Sequence, residues 1–166
     1  SLSYLLLELL NQFLPEGQEN LRIYFETLNY LQAMAESEDF EKAKILAASF
    51  QIKILREVGY LPELYNCLKC GTRLTEENSF FLLESGGLVD QNCHREALFG
   101  RSIKVETIKV IRFINSESID RVEQLKLNDI DTTEVCKLLN LYTSVQLDKN
   151  LGSEKFALEI EKLRLN

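Results

Sequence analysis

Three cysteines and one aspartate carry the chemistry that stands out in this chain: Cys67 and Cys70, then Asp90 and Cys93. Zinc takes four tetrahedral ligands, and a Cys-x-x-Cys turn presents two thiolates at the required separation while its backbone amides donate to sulfur. Nineteen residues lie between Cys70 and Asp90, a length typical of the gap between the two halves of a zinc ribbon, and Asp90-x-x-Cys93 repeats the two-residue spacing of the first half. Aspartate therefore stands where a third cysteine would complete the set. Three readings follow. Asp90 supplies the fourth ligand through a carboxylate oxygen, His94 or a water takes that place, or the segment keeps its shape by packing and holds no tight metal. Four protein ligands closing on Zn2+ would leave no position for a substrate, which makes the ion structural.

Rival chemistries find less support. A thioredoxin-type Cys67–Cys70 pair wants a βαβ context, and helical patterns precede it instead. Cys136 lies beside Val135 on an apolar helical face and reads as a small core residue. His94 is the single histidine, which gives a histidine dyad or a Cys-His-Asn constellation little to stand on. With no phosphate-binding loop or dinucleotide glycine motif, the chain does not read as an enzyme.

The elements that must position the four donors are helical. Residues 3 to about 13 form a short helix with Tyr4, Leu5, Leu7, Leu9 and Leu10 on one side, ended by Pro15 and Gly17. A second helix runs from about 19 to 35, with Leu21, Phe25, Leu28, Leu31 and Ala35 as its apolar face. A third, capped by Ser37, reaches Val58; Gly59 suits the left-handed position after a helix, and Leu61-Pro62 forbids continuation. The cysteine segment then reads as a small hairpin, SFFLLE and LVDQ about Gly86-Gly87. Helical periodicity returns at Ile103, Ile108, Ile111 and Ile114, although the β-branched IKVETIKVIRFI keeps a strand reading open. Further helices follow near 118–127, over 132–147 with Val135, Leu138, Leu139, Tyr142 and Val145 as its face, and from Ser153 onward. The fold class is mainly α: a helical bundle, residues 1–63 and 97–166, interrupted by a zinc-ribbon-like β-hairpin module, 64–96. So small an insertion buries too little apolar area to offset its ordering entropy, about 1–2 kcal/mol per residue of backbone, so metal or docking must help hold it.

Composition sets the outer bounds. The 166 residues are 45% hydrophobic and 27% charged, as in ordinary globular chains. A net charge of −7 has the wrong sign for a stand-alone nucleic-acid binder held by phosphate contacts. No apolar run is long enough to span a membrane, and SLSYLLLELL lacks the basic flank of a signal peptide, so a cytoplasmic location and reduced cysteines are expected.

The string FQIKILREVGYLPELYNCLKCGTRL, followed by GGLVDQNC, resembles the RecO family of DNA repair and recombination mediators. The matching residues are Leu55, Gly59, Tyr60, Pro62, Leu64, Cys67, Cys70, Gly71, Gly86, Gly87 and Cys93; Asp90 departs, replacing the family's third cysteine. The resemblance implies the helical and zinc-ribbon C-terminal part of such proteins, with a structural Zn2+ held by Cys67, Cys70, Asp90 and Cys93. The family's N-terminal nucleic-acid-binding OB-fold has no counterpart in this stretch. It implies a non-enzymatic role in the RecFOR pathway, with RecR, the acidic C-terminal tail of single-strand-binding protein and single- and double-stranded DNA as partners, the DNA mainly through the OB-fold. A groove for that tail needs a cationic rim, for which Lys53 and Arg56, or Arg101, Lys104, Lys109 and Arg112, are candidates. The alternative is a metal-stabilised adaptor domain of another cytoplasmic nucleic-acid-processing complex.

Overall fold

A computed structural model describes residues 2–14, 20–75, 79–94, 100–127 and 130–147. In chain order the elements are α1 (Leu2–Phe13), α2 (Leu21–Glu36), α3 (Phe40–Glu57), β1 (Ser79–Leu82), β2 (Gly87–Val89), α4 (Gln91–His94), β3 (Arg101–Ile103), α5 (Val105–Ser116), α6 (Ile119–Glu123) and α7 (Thr132–Gln146). The expected class, mainly helical with a small inserted β module, is the one observed.

Helix α3 is the hub. It packs against α1, α2, α5, α6 and α7, and Ile45, Leu46, Phe50, Ile52, Ile54 and Leu55 are all buried. A helix surrounded on every side needs apolar residues all round rather than a stripe, and ASFQIKIL supplies them apart from Ser49, Gln51 and Lys53. Its two buried polar residues each find a partner: Ser49 Oγ pairs with Tyr30 Oη at 2.8 Å and donates to the Ile114 carbonyl, and Gln51 Nε2 donates to Thr143 Oγ1 at 2.8 Å. Burial pushes the Tyr30 phenol up to about 12, so it remains a neutral donor.

The end of α3 forms as its sequence dictates. Gly59 adopts φ +83°, Gly59 N donates to Arg56 O, and Tyr60 N donates to Leu55 O at 2.7 Å, the paired bonds of a Schellman cap. Its start differs from expectation. Asp39, not Ser37, is the N-cap, accepting from Glu41 N, while Ser37 terminates α2 and donates to the Asp39 carbonyl.

The faces of the first two helices also differ. In α1, Leu5, Leu6 and Leu9 are buried while Tyr4 and Leu7 stand in solvent. In α2 the buried side is Ile23, Thr27, Tyr30, Ala33 and Met34, and Leu21, Phe25 and Leu28 of the expected face are exposed. Two apolar stripes compete on α2, and the inner one is selected by Tyr30, whose hydroxyl reaches Ser49 and whose ring meets Phe50 edge-on at 5.4 Å. On α7, Val135, Leu138, Leu139 and Tyr142 are buried as expected, but Val145 is partly exposed. Cys136 is half-buried against Lys44 O. The IKVETIKVIRFI segment resolves into a short strand and then a helix. The helix expected from Ser153 lies outside the described residues.

The β module is a three-stranded antiparallel sheet in the order β2-β1-β3, with Phe81 opposite Leu88 on one side and Arg101 on the other. Strand β3 carries the sheet past residue 96 and leads directly into α5. The module is docked rather than suspended. Phe81 meets Tyr142 at 5.4 Å, Gln146 Nε2 donates to Leu83 O, and both Arg112 Nε and a terminal guanidinium nitrogen donate to Leu64 O.

Candidate metal centre

Particular residues meet the backbone demands of the turns that carry the cysteines. The Glu63 carboxylate accepts from Tyr65 N at 2.7 Å and Asn66 N at 2.9 Å, bonds that hold its acid below the ordinary range and start the turn. Asn66 and Arg73 then bridge antiparallel, Cys67 N donates to Thr72 O, and Gly71 N donates back to Cys67 O. This closed loop requires φ +73° at Gly71, an angle that a side chain would strain. The glycine pair at 86–87 serves two purposes. Gly86 has φ +71° and a Cβ there would sit 2.9 Å from Tyr142 Oη; at Gly87 a Cβ would sit 2.7 Å from Glu63 O, because the 63 strand-bridge lies alongside. Tyr142 in turn donates to Tyr60 O at 2.8 Å, locking the knuckle to α7.

These constraints bring Cys67, Cys70, Asp90 and Cys93 together, with one ligand atom of each within 4.8 Å of all the others. Bonds of about 2.3 Å to sulfur and 2.0–2.2 Å to oxygen place tetrahedral donors roughly 3.5–4 Å apart, so the set can close on zinc with small adjustments. Asp90 is held for that role. Its Oδ1 accepts from Cys93 N at 2.8 Å, capping α4, and its Oδ2 lies 3.1 Å from Cys70 Sγ. Those bonds, the Cys93 amide first and the Cys70 thiol second, hold its carboxyl down at about 2. Oδ2 is thus a charged oxygen among the thiols at every physiological pH.

Four anions cannot coexist so closely without a cation. The Cys93 thiol is pushed up to about 12 by desolvation and by its hydrogen bonds and charge interactions with the neighbouring thiols and Asp90. At Cys67 desolvation also works upward but is outweighed by donors from Cys70, Asp90 and Lys69, so its pKa is lowered. A divalent ion would remove this conflict and release protons as it binds. A cavity of about 530 Å³ lined by Cys70, Arg73, Asp90, Asn92 and Cys93 opens onto the donors, giving an ion a path from solvent.

His94 is not brought into this set. Its ring stacks on Phe80 at 3.5 Å and 7°, and only its backbone amide engages the site by donating to Asp90 O. In this arrangement the His94 ring packs on Phe80 and contributes no atom to the donor cluster.

The candidate cationic rims are mostly committed within the fold. Lys53 donates to Glu117 O at 2.8 Å, and burial lowers its pKa. Arg56 holds the carbonyl and side-chain oxygens of Asn115, and Arg112 holds Leu64 O while lying 5.0 Å over the Tyr65 ring. Lys104 pairs with Asp131 at 3.1 Å and Glu134 at 3.6 Å. Three of these cations satisfy carbonyls at helix and loop ends, a need set by residues 48–64 positions away that spacing along the sequence does not reveal. Arg101 on β3 is exposed, and Lys109 on α5 is exposed as well but has interactions of its own within the fold.

Comparison with known proteins gives a consistent result. A family model described as "Recombination protein O C terminal" matches residues 1–155. Proteins named "DNA repair protein RecO" are similar over most of the chain. One from Alkaliphilus metalliredigens is 33% identical over 157 residues, covering 93% of this chain and 62% of that protein. One from Thermoanaerobacter sp. is 26% identical, covering 94% and 61%, and one from Dehalococcoides mccartyi is 30% identical, covering 95% and 60%. The chain thus spans about three-fifths of the length of these relatives. No solved structure matches.

Proposed function

The chain belongs to the RecO family, and from that premise we propose that it is the helical and zinc-ribbon part of a non-enzymatic DNA repair and recombination mediator, acting as a protein-interaction scaffold. The observation that carries this reading is the closed donor set: Cys67, Cys70, Asp90 and Cys93 converge on one point. Four such ligands would occupy every tetrahedral position of a Zn2+ and leave none for a substrate, so the ion would stabilise rather than catalyse. The residues themselves do the rest. Asp90 caps α4 and presents one oxygen; Gly71 and Gly86 permit the turns; Arg112 and Tyr142 tie the knuckle to the helices.

The partners belong to the proposal. RecR, the acidic and apolar-ended tail of single-strand-binding protein, and DNA held mainly by an OB-fold are the partners the family reading supplies, and a net charge of −7 suits a part that leaves most phosphate binding elsewhere. Arg101, exposed on β3, is the candidate to meet an acidic tail. Titration calorimetry with an acidic peptide ending in Phe should give binding at about micromolar Kd, weakened in an Arg101→Ala variant. Absence of binding to both that peptide and RecR would remove this interaction role while leaving family membership intact.

A further inference from the structure

The three cysteines of the donor set differ in what can reach them. Cys70 is exposed and Cys93 half-buried, and both line the cavity of about 530 Å³ that opens onto the site. Cys67 is only 2% exposed, and its sulfur accepts from the backbone amides of Cys70, Asp90 and Lys69. One sulfur is therefore fixed beneath the turn while the other two share an open mouth. The donor atoms all lie within 4.8 Å of one another, so joining the Cys70 and Cys93 sulfurs at the disulfide length of about 2.05 Å takes a closing movement of under about 3 Å.

We propose that Cys70 and Cys93 are a peroxide-sensitive pair, oxidised by a hydroperoxide to a disulfide that expels the zinc. The proposal rests on the four-ligand zinc reading above and adds what the site does under oxidation. Coordination would hold Cys70 as a thiolate, the nucleophilic form of the residue, at the mouth of the cavity. Its sulfur attacks the peroxide and the O–O bond breaks. The departing oxygen takes one proton and leaves as an alcohol or water, and Cys70 becomes a sulfenic acid, two electrons having passed from sulfur to the peroxide. The Cys93 sulfur then displaces hydroxide from Cys70: the S–S bond forms, the S–O bond breaks, and the hydroxide takes a second proton to leave as water. Two thiolates, two protons and one hydroperoxide thus give one disulfide, one water and one alcohol, or two waters where the oxidant is hydrogen peroxide.

Asp90 makes this outcome decisive, because a carboxylate cannot enter a disulfide. A ribbon with four cysteines keeps two thiolates after one oxidation; here only Cys67 and Asp90 remain, one sulfur and one oxygen, which is half a tetrahedral set. The disulfide then replaces the metal as the cross-link between the two halves of the knuckle. The bonds that tie the module to α5 and α7, from Arg112 to Leu64 O and from Tyr142 to Tyr60 O, do not involve these sulfurs.

Treating the zinc-loaded chain with hydrogen peroxide tests the proposal, with zinc followed by a chromogenic chelator and thiols mapped by alkylation and mass spectrometry. The expected result is about one zinc released per disulfide, a Cys70–Cys93 link with Cys67 still open to alkylation after denaturation, and reloading of zinc once a dithiol has reduced the chain. Cys136→Ser should give the same result. Zinc retained with all three cysteines still alkylated would overturn the proposal and leave the zinc reading standing. So would a Cys67–Cys70 disulfide as the product, a link through Cys136, or oxidation that runs to sulfinic acid without a disulfide. A reduced chain that takes up no zinc would overturn both readings together.

Discussion

The hub helix and the cysteine knuckle are built on opposite terms. Around α3, order comes from apolar side chains buried on all sides, with Phe50, Ile45, Leu46 and Ile52 entirely out of water. In the knuckle three of the four donors are near the surface, Cys70 exposed and Asp90 and Cys93 half-buried, while Cys67 is buried. Order there comes from turn hydrogen bonds, three positive-φ or close-approach glycines, and a charge conflict that a cation would resolve. Packing tolerates no missing volume but is indifferent to ions and pH; a donor cluster tolerates volume changes around it but depends on both. Arg112 and Tyr142 are where the two regimes are joined.

Substitutions can break or sharpen that contrast. The largest effect is expected for Phe50→Ala, which empties the centre of the hub and should lower unfolding free energy by about 3–5 kcal/mol, read from urea denaturation. Zinc affinity of the remaining folded chain should be unchanged. The mirror experiment is Cys70→Ser. It should weaken zinc at least about 100-fold, given that outer-shell changes alone reach that size, measured by chelator competition, with little movement of the helical transition.

Arg112→Ala tests the joint. Leu64 O loses both of its guanidinium donors, so a loss of about 1–3 kcal/mol is expected, and zinc affinity should fall along with helical stability. Asp90→Cys should tighten zinc by about tenfold or more, one decade being about 1.4 kcal/mol, whereas Asp90→Asn should loosen it. The smallest effect is in acid. The Asp90 pKa is depressed to about 2, below the ordinary value near 3.9. In the metal-free chain its contribution is therefore full above about pH 4 and is lost as pH falls through 2. Asp90→Asn should remove that slope from the acid limb of a stability-against-pH curve.

How much of this could be read in the sequence follows the same division. The knuckle, the hairpin and the end of α3 were legible because each rests on a local backbone demand, a glycine at 59, 71 or 86 or a fixed ligand spacing, that leaves few alternatives. Helix α2 was legible as a helix but not in its orientation. Its stripes Leu21-Phe25-Leu28 and Ile23-Thr27-Tyr30 are both helically spaced, and the choice depends on Ser49 and Phe50 on another helix. The fate of Lys53, Arg56 and Arg112 was illegible for the same reason, since the carbonyls they satisfy are distant in sequence. The stacking of His94 on Phe80, which sets its ring apart from the donor cluster, was illegible too, since Phe80 lies on another element.

The most direct test is the metal's own coordination shell, seen by X-ray absorption of the zinc-loaded chain. Closure by Cys67, Cys70, Asp90 and Cys93 predicts three sulfurs near 2.3 Å and one oxygen near 2.0–2.2 Å, converting to four sulfurs in Asp90→Cys. A shell containing imidazole, a shell unchanged by Asp90→Cys, or a chain that retains no zinc against a weak chelator would contradict it.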